Sequence, residues 1–124
     1  MDFGQFNAQA TMDEGKWLTL NDPYGDPTDA KIKVVGPDSK TYKRELRRIA
    51  DLEKKKRNGL KAAEMEQHMI DTYAACCVDF ENCYIGKKEV KAGDTESIKE
   101  LVAMTFITPQ ISEFIGDYTN FLSK

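Results

Sequence analysis

At Gly36-Pro37 the apolar residues of this chain change their spacing, and that change governs what it can fold into. Ahead of it, WLTL (17–20) and AKIKVV (30–35) are β-type runs, with Ile32 and Val34 on one face and Lys31 and Lys33 on the other. This is the alternation of a strand with one buried side. Between the runs lies NDPYGDPTD (21–29), whose two prolines, one glycine and four Asn or Asp have turn-forming chemistry, so residues 17–35 read as a long-looped hairpin. Asp22, Asp26 and Asp29 lack the spacing and closing Glu of an EF-hand loop, which leaves turn formation as their expected use.

Behind Gly36-Pro37 the apolar residues recur every three or four positions. Asp38 or Ser39 can cap a helix over about 40–57, where Tyr42, Leu46, Ile49 and Ala50 form one apolar stripe flanked by Lys43, Arg44, Arg47 and Arg48. After Asn58-Gly59, a second helix over about 60–78 carries Ala62, Met65, Met69, Ile70, Tyr73, Cys76 and Cys77, a set broad enough for a central core helix covered on more than one side. VDFENCYIGKKEV (78–90) is compatible with a small hairpin or an irregular loop. Asp94 or Thr95 can cap a helix over about 95–105, and Thr108-Pro109 opens a last one over about 109–122. There Ile111, Phe114, Ile115, Tyr118, Phe121 and Leu122 make a wide apolar face. The expected fold is α+β, mainly α: an N-terminal β-hairpin followed by about four packed helices.

With 124 residues, 31% of them charged, the chain has the size and balance of one domain. Residues 1–15 show neither period and are expected to form a flexible N-terminal arm, leaving 16–124 as the domain. No basic-then-apolar leader and no run of 18 apolar residues is present, so neither a signal peptide nor a membrane span is expected, and the expected location is cytoplasmic. Cys76, Cys77 and Cys83 lack C-x-x-C spacing, and adjacent Cys76 and Cys77 would point about 100° apart on a helix. They read as reduced core thiols, with no metal and no cofactor expected. One histidine, His68, and no Gly-rich phosphate loop or Gly-x-Ser-x-Gly make an enzyme an unattractive reading.

The charge map is uneven. Residues 40–61 hold ten basic and three acidic side chains, a net of +7 in a protein of net charge -3. Such a segment can meet phosphates, the acidic remainder of its own chain, or a neighbouring subunit. Without an aromatic platform beyond Tyr42 or a reading motif, a solvated or subunit-facing helix is favoured over nucleic acid. Lys43, Arg44, Arg47 and Arg48 are its candidate self-association face.

The order of these features resembles the tail assembly chaperones of long-tailed (siphovirus-type) bacteriophages and prophages. The resemblance is carried by Asn21–Thr28 (NDPYGDPT), Ile32–Tyr42 (IKVVGPDSKTY), Arg44–Ile49 (RELRRI), Val78–Asn82 (VDFEN) with Gly86, and Pro109–Leu122 (PQISEFIGDYTNFL), and runs from about Trp17 to the end. Many members have Trp where this chain has Phe80, and an aliphatic residue where it has Cys83. The resemblance implies a non-catalytic protein of the host cytoplasm, absent from the mature virion. It would coat the tape measure protein and keep it soluble while the tail tube polymerises. It further implies a longer form made by ribosomal frameshifting whose added domain recruits the tail tube protein, Lys124 ending the short form; such a chaperone needs self-association, for which the opposite charges of residues 40–61 and 62–124 offer head-to-tail contacts, giving a homo-oligomer or open spiral. Phe114, Ile115, Tyr118, Phe121 and Leu122 are the candidate partner-binding residues, Phe121 and Leu122 being expected to be the most accessible. The rival readings are a virion structural protein, such as a head-tail joining or tail-terminator subunit, and a small nucleic-acid-binding regulator.

Overall fold

In the computed structural model, which describes residues 1–122, the first paired strands are β1 (Lys16–Asn21) and β2 (Pro27–Val34). They pair antiparallel, with Leu18 opposite Ile32 and Trp17 opposite Lys33, and a register irregularity between Thr19 and Asn21. The loop between them closes on Asp22, whose carboxylate accepts from the backbone N–H of Tyr24 and of Asp26. This is the turn chemistry that residues 21–29 suggest.

A third strand, β3 (Cys77–Glu81), lies on the other side of β2, giving the order β1-β2-β3. Its outward residues match those of β2 in charge, Glu81 opposite Lys31 and Asp79 opposite Lys33. The helix expected to run to Val78 therefore stops two residues early: Cys77 is already extended, and the Val35 N–H donates to the Cys76 carbonyl at 3.0 Å. Pairing with β2 satisfies backbone groups that another helical turn would have used. The small hairpin follows as β4 (Tyr84–Ile85) and β5 (Lys88–Glu89), turning through Gly86 at φ +63°.

Among the described residues there are five α-helices. The chain-order first, α1 (Gln9–Glu14), falls where a flexible arm was expected, and this corrects that expectation. A single side chain, Met12, is enough to seat it: Met12 is fully buried against Phe121, and Ala8 packs beside it. One buried residue in six leaves no periodic signature. Polar contacts complete the attachment: the Gly36 N–H donates to the Met12 carbonyl (2.9 Å), Gln9 donates to the Asp38 carbonyl (2.8 Å), and Asp13 accepts from the Lys40 N–H (2.8 Å). That last bond, with one from Gln9, holds the Asp13 carboxyl below the usual carboxylate range.

α2 (Lys40–Lys55) starts on Ser39, whose buried hydroxyl accepts from the Tyr42 N–H. α3 (Ala62–Cys76) returns beside it, held by Lys56–Glu64 (2.8 Å) and by Arg48 against His68 Nδ1 (3.3 Å). α3 differs from the expected central helix. Thr72, Ala74 and Cys76 are its buried residues, whereas Ala62 is exposed and Met65, Met69, Ile70 and Tyr73 are only half-buried. Its apolar residues are spread around the barrel, so one layer of neighbours covers only some of them.

α4 (Thr95–Val102) is capped by Asp94, and α5 (Thr108–Gly116) carries Pro109 in its first turn. α5 is shorter than the expected 109–122. Asp117 is extended, and its carboxylate accepts from the Thr119 N–H and hydroxyl, starting a separate 3-10 turn over Tyr118–Phe121. Asn120 then donates to the Phe114 carbonyl (2.9 Å), which otherwise receives only a long bond from the Asp117 N–H (3.4 Å). Gly116 weakens the helix, and a short polar side chain competes for the next backbone groups. The main core collects Ile32 and Val34 from the sheet, Cys76 and Cys77, Val102, and Ile111 and Ile115.

Candidate protein-interaction surfaces

The break in α5 redistributes the residues proposed for partner binding. Ile115 enters the main core, and Phe121 is fully buried between Met12 and Phe114, whose ring it meets edge-on at 5.5 Å. Phe121, expected to be the most accessible, is thus the opposite. The reason is the extended Asp117, which turns the chain back instead of continuing along one helical face. Phe114 and Leu122 are half-buried against the same cluster, and Tyr118 is exposed on its ring with its hydroxyl donating to the Phe6 carbonyl (3.0 Å). Of the five, Tyr118 is the one that presents most of its side chain outward.

The basic face is divided differently. Lys43, Arg44 and Arg47 are exposed, but Arg48 is half-buried and turned into the molecule, paired with Glu45 (3.1 Å) and bonded to His68. Among the described residues the ion pairs of segment 40–61 are Arg48–Glu45 and Lys56–Glu64, so eight of its ten cations have no ionic partner. Among the described residues the acidic remainder of the chain reaches this segment by an ion pair only at Glu64. Leu46 and Ala50 of the predicted apolar stripe are also exposed, and of that stripe only Ile49 is buried. α2 therefore presents cations and aliphatic side chains together, with no cover from its own chain. The cleft between α2, α3 and α4, about 440 Å³, is instead lined by two ion pairs, Arg48–Glu45 and Lys99–Asp71 (3.4 Å).

A surface absent from the sequence reading lies between the β1–β2 turn, β4 and the α4–α5 connection. Leu20, Ala30, Tyr84, Leu101, Met104 and Phe106 wall an open groove of about 340 Å³. Tyr84 and Phe106 are exposed, and Met104 is half-buried against the core. The segment Met104-Thr105-Phe106-Ile107 belongs to no helix, and a loop rich in large apolar residues was the available signal. Thr108 holds it in shape by donating to the Val102 carbonyl.

Cys76, Cys77 and Cys83 are buried free thiols. Burial pushes the Cys76 thiol up to about 12 and raises Cys77 and Cys83 as well, which suits packing rather than nucleophilic chemistry. Among the described residues no group of three or more His, Cys, Asp or Glu converges as a metal site, and no helix is long and apolar enough to cross a membrane. Comparison of the chain with protein-family models, with curated proteins and with solved structures returns no match.

If α2 meets an acidic neighbour, reversing Lys43, Arg44 and Arg47 to Glu will leave the melting temperature within a few degrees of wild type, because none is buried. It will weaken self-association, and more at low than at high salt. Identical sedimentation of both proteins at both salt concentrations would show that these cations are merely solvated.

Proposed function

We propose that this protein is a non-catalytic tail assembly chaperone of a long-tailed phage or prophage, which binds the tape measure protein and keeps it soluble in the host cytoplasm until the tail tube covers it. The supporting observation is the open groove walled by Tyr84, Leu101, Met104 and Phe106, on a chain whose ordered stretches resemble that family. A tape measure exposes apolar helical surface, and an amphipathic helix is recognised by laying its apolar side chains into such a groove. Methionine suits a chaperone's groove because its unbranched thioether repacks against different side chains. The uncovered α2 face supplies contact with further copies, and a longer frameshifted form would bring the tube protein.

Co-expression tests this directly. Wild-type chain will keep a co-expressed tape measure protein in the soluble fraction, and Met104→Asp with Phe106→Asp will lose that effect several-fold while the protein still melts cooperatively. Equal solubilisation by the folded double variant would remove the groove from the reading. Recovery of the chain in purified mature particles would instead favour a virion structural subunit.

A further inference from the structure

We propose that the N-terminal segment is an exchangeable arm: residues 1–14 of one copy seat in the Phe121 groove of a second copy, and the two copies form a two-fold dimer by swapping them. Three independent features meet at this place. The first is that α1 plugs a small cluster of its own, which touches the main core through Phe114. Met12 and Ala8 form, with Phe121, a cluster separate from the main one, and the groove is shaped for them. A Cβ at Gly36 would lie 2.8 Å from the Met12 Cβ, so the absence of a side chain at Gly36 is what lets Met12 in.

The second is the connection. No loop separates α1 from β1; the single residue Gly15 does the turning, at φ +98° with the Val34 carbonyl pressed where a Cβ would be. Glycine passes between left-handed and extended backbone at little cost, as a hinge requires. A one-residue hinge is also the arrangement that favours exchange, since an arm that straightens finds the same groove on a neighbour and loses no contact.

The third is what the straightened hinge would bring together. β1 is an edge strand of its sheet, and Trp17, the sole tryptophan, stands 39% exposed two residues beyond Gly15. Gln110 occupies the far end of that edge, its amide accepting from the Asn21 N–H and donating to the Asn21 carbonyl. Among the described residues no side chain is hydrogen-bonded to the backbone at the end nearest the hinge. In a two-fold exchange both hinges cross close to the axis, so the β1 edges and the two Trp17 rings come to lie at the new interface. Exchange stands independently of the tape-measure reading and uses a surface distinct from α2.

Met12→Cys and Gly36→Cys, made in separate chains, mixed, unfolded, refolded together at high concentration and mildly oxidised, test this arrangement. Only an arm seated on another copy can join them, because a disulfide needs the two Cβ atoms about 4 Å apart. The expected product is a covalent species of twice the chain mass, absent when Met12→Cys is mixed with wild type. Linkage confined to the interior of a single chain carrying both substitutions, with none in the mixture, overturns the proposal. A second variant covers the case in which a cysteine at Gly36 prevents folding: four Gly or Ser residues inserted after Gly15 relax the hinge. They are expected to raise the dimer dissociation constant at least tenfold and to return Trp17 emission to that of the dilute monomer. A wild-type chain that stays monomeric at every concentration, or a dimer unaffected by the insertion, also overturns it.

Discussion

Phe121→Ala is expected to cost about 3–5 kcal/mol of stability, a fall of roughly 10–20 °C in melting temperature for a domain of this size. The ring is fully buried, meets Phe114 edge-on at 5.5 Å, and closes the cluster that receives Met12 and Ala8. Truncation would leave a cavity that α1 and the C-terminal turn can only partly fill, since each is tied by its own hydrogen bonds: α1 at Gly36, Asp38 and Lys40, the turn at Asp117 and Asn120. Thermal unfolding by circular dichroism reads the loss. A loss below about 1 kcal/mol would mean that the ring is available to a partner, as the periodicity of residues 111–122 suggests. Tyr118→Ala is the internal comparison: its ring is exposed, so it should lose little beyond the one hydrogen bond to the Phe6 carbonyl.

Stability should also fall steeply on the alkaline side. In the unfolded chain the thiols ionise near pH 8.5, whereas burial holds Cys76 protonated up to about 12 and raises Cys77 too. Between those limits the folded state keeps protons that the unfolded state has lost, so the unfolding free energy decreases as pH rises. Below about pH 8.5 both states are protonated and these groups contribute no slope. Each buried thiol accounts for about 1.4 kcal/mol per pH unit above that, so Cys76 and Cys77 together should remove about 3–4 kcal/mol by pH 10. Tyr42, raised first by its burial, adds in the same direction at higher pH. Denaturant melts at pH 8 and pH 10 measure the effect, and Cys77→Ala should flatten the slope even if it lowers stability at pH 8. An unchanged slope in that variant would place the alkaline loss elsewhere. The same burial predicts that native protein at pH 8 resists alkylation at all three cysteines while denatured protein is labelled fully.

Much of the fold is legible residue by residue. Alternation at Ile32 and Val34 marks β2, and Ser39 and Asp94 mark the starts of α2 and α4 because their oxygens have local N–H groups to accept from. The two misplaced helix ends share a cause: the helical stripe continues across a place where the backbone finds another partner. At Cys77 that partner was β2, more than forty residues earlier in the chain, and at Asp117 it was the residue's own carboxylate. Of the proposed site residues, Lys43, Arg44 and Arg47 lie exposed on α2, while Arg48, with the same charge and one position further, is drawn inward by Glu45 and by His68 from α3. A helical wheel places Arg48 on a flank but cannot know that a second helix supplies an acceptor there.

The sequence by itself determined the period of each segment, the turns at 21–29 and at Gly86, the caps, and the concentration of positive charge between residues 40 and 61. These follow from interactions within a few residues, where chain connectivity alone brings the groups together. Only the tertiary structure decided that α1 is docked by Met12, that Phe121 is core, that β3 completes the sheet, and that Met104 and Phe106 stand in an open groove. Each of these depends on groups distant in the chain, and whether an apolar side chain is covered is a property of what packs over it. The same residue types at the same local spacing can therefore end as core in Phe121 and as surface in Phe106.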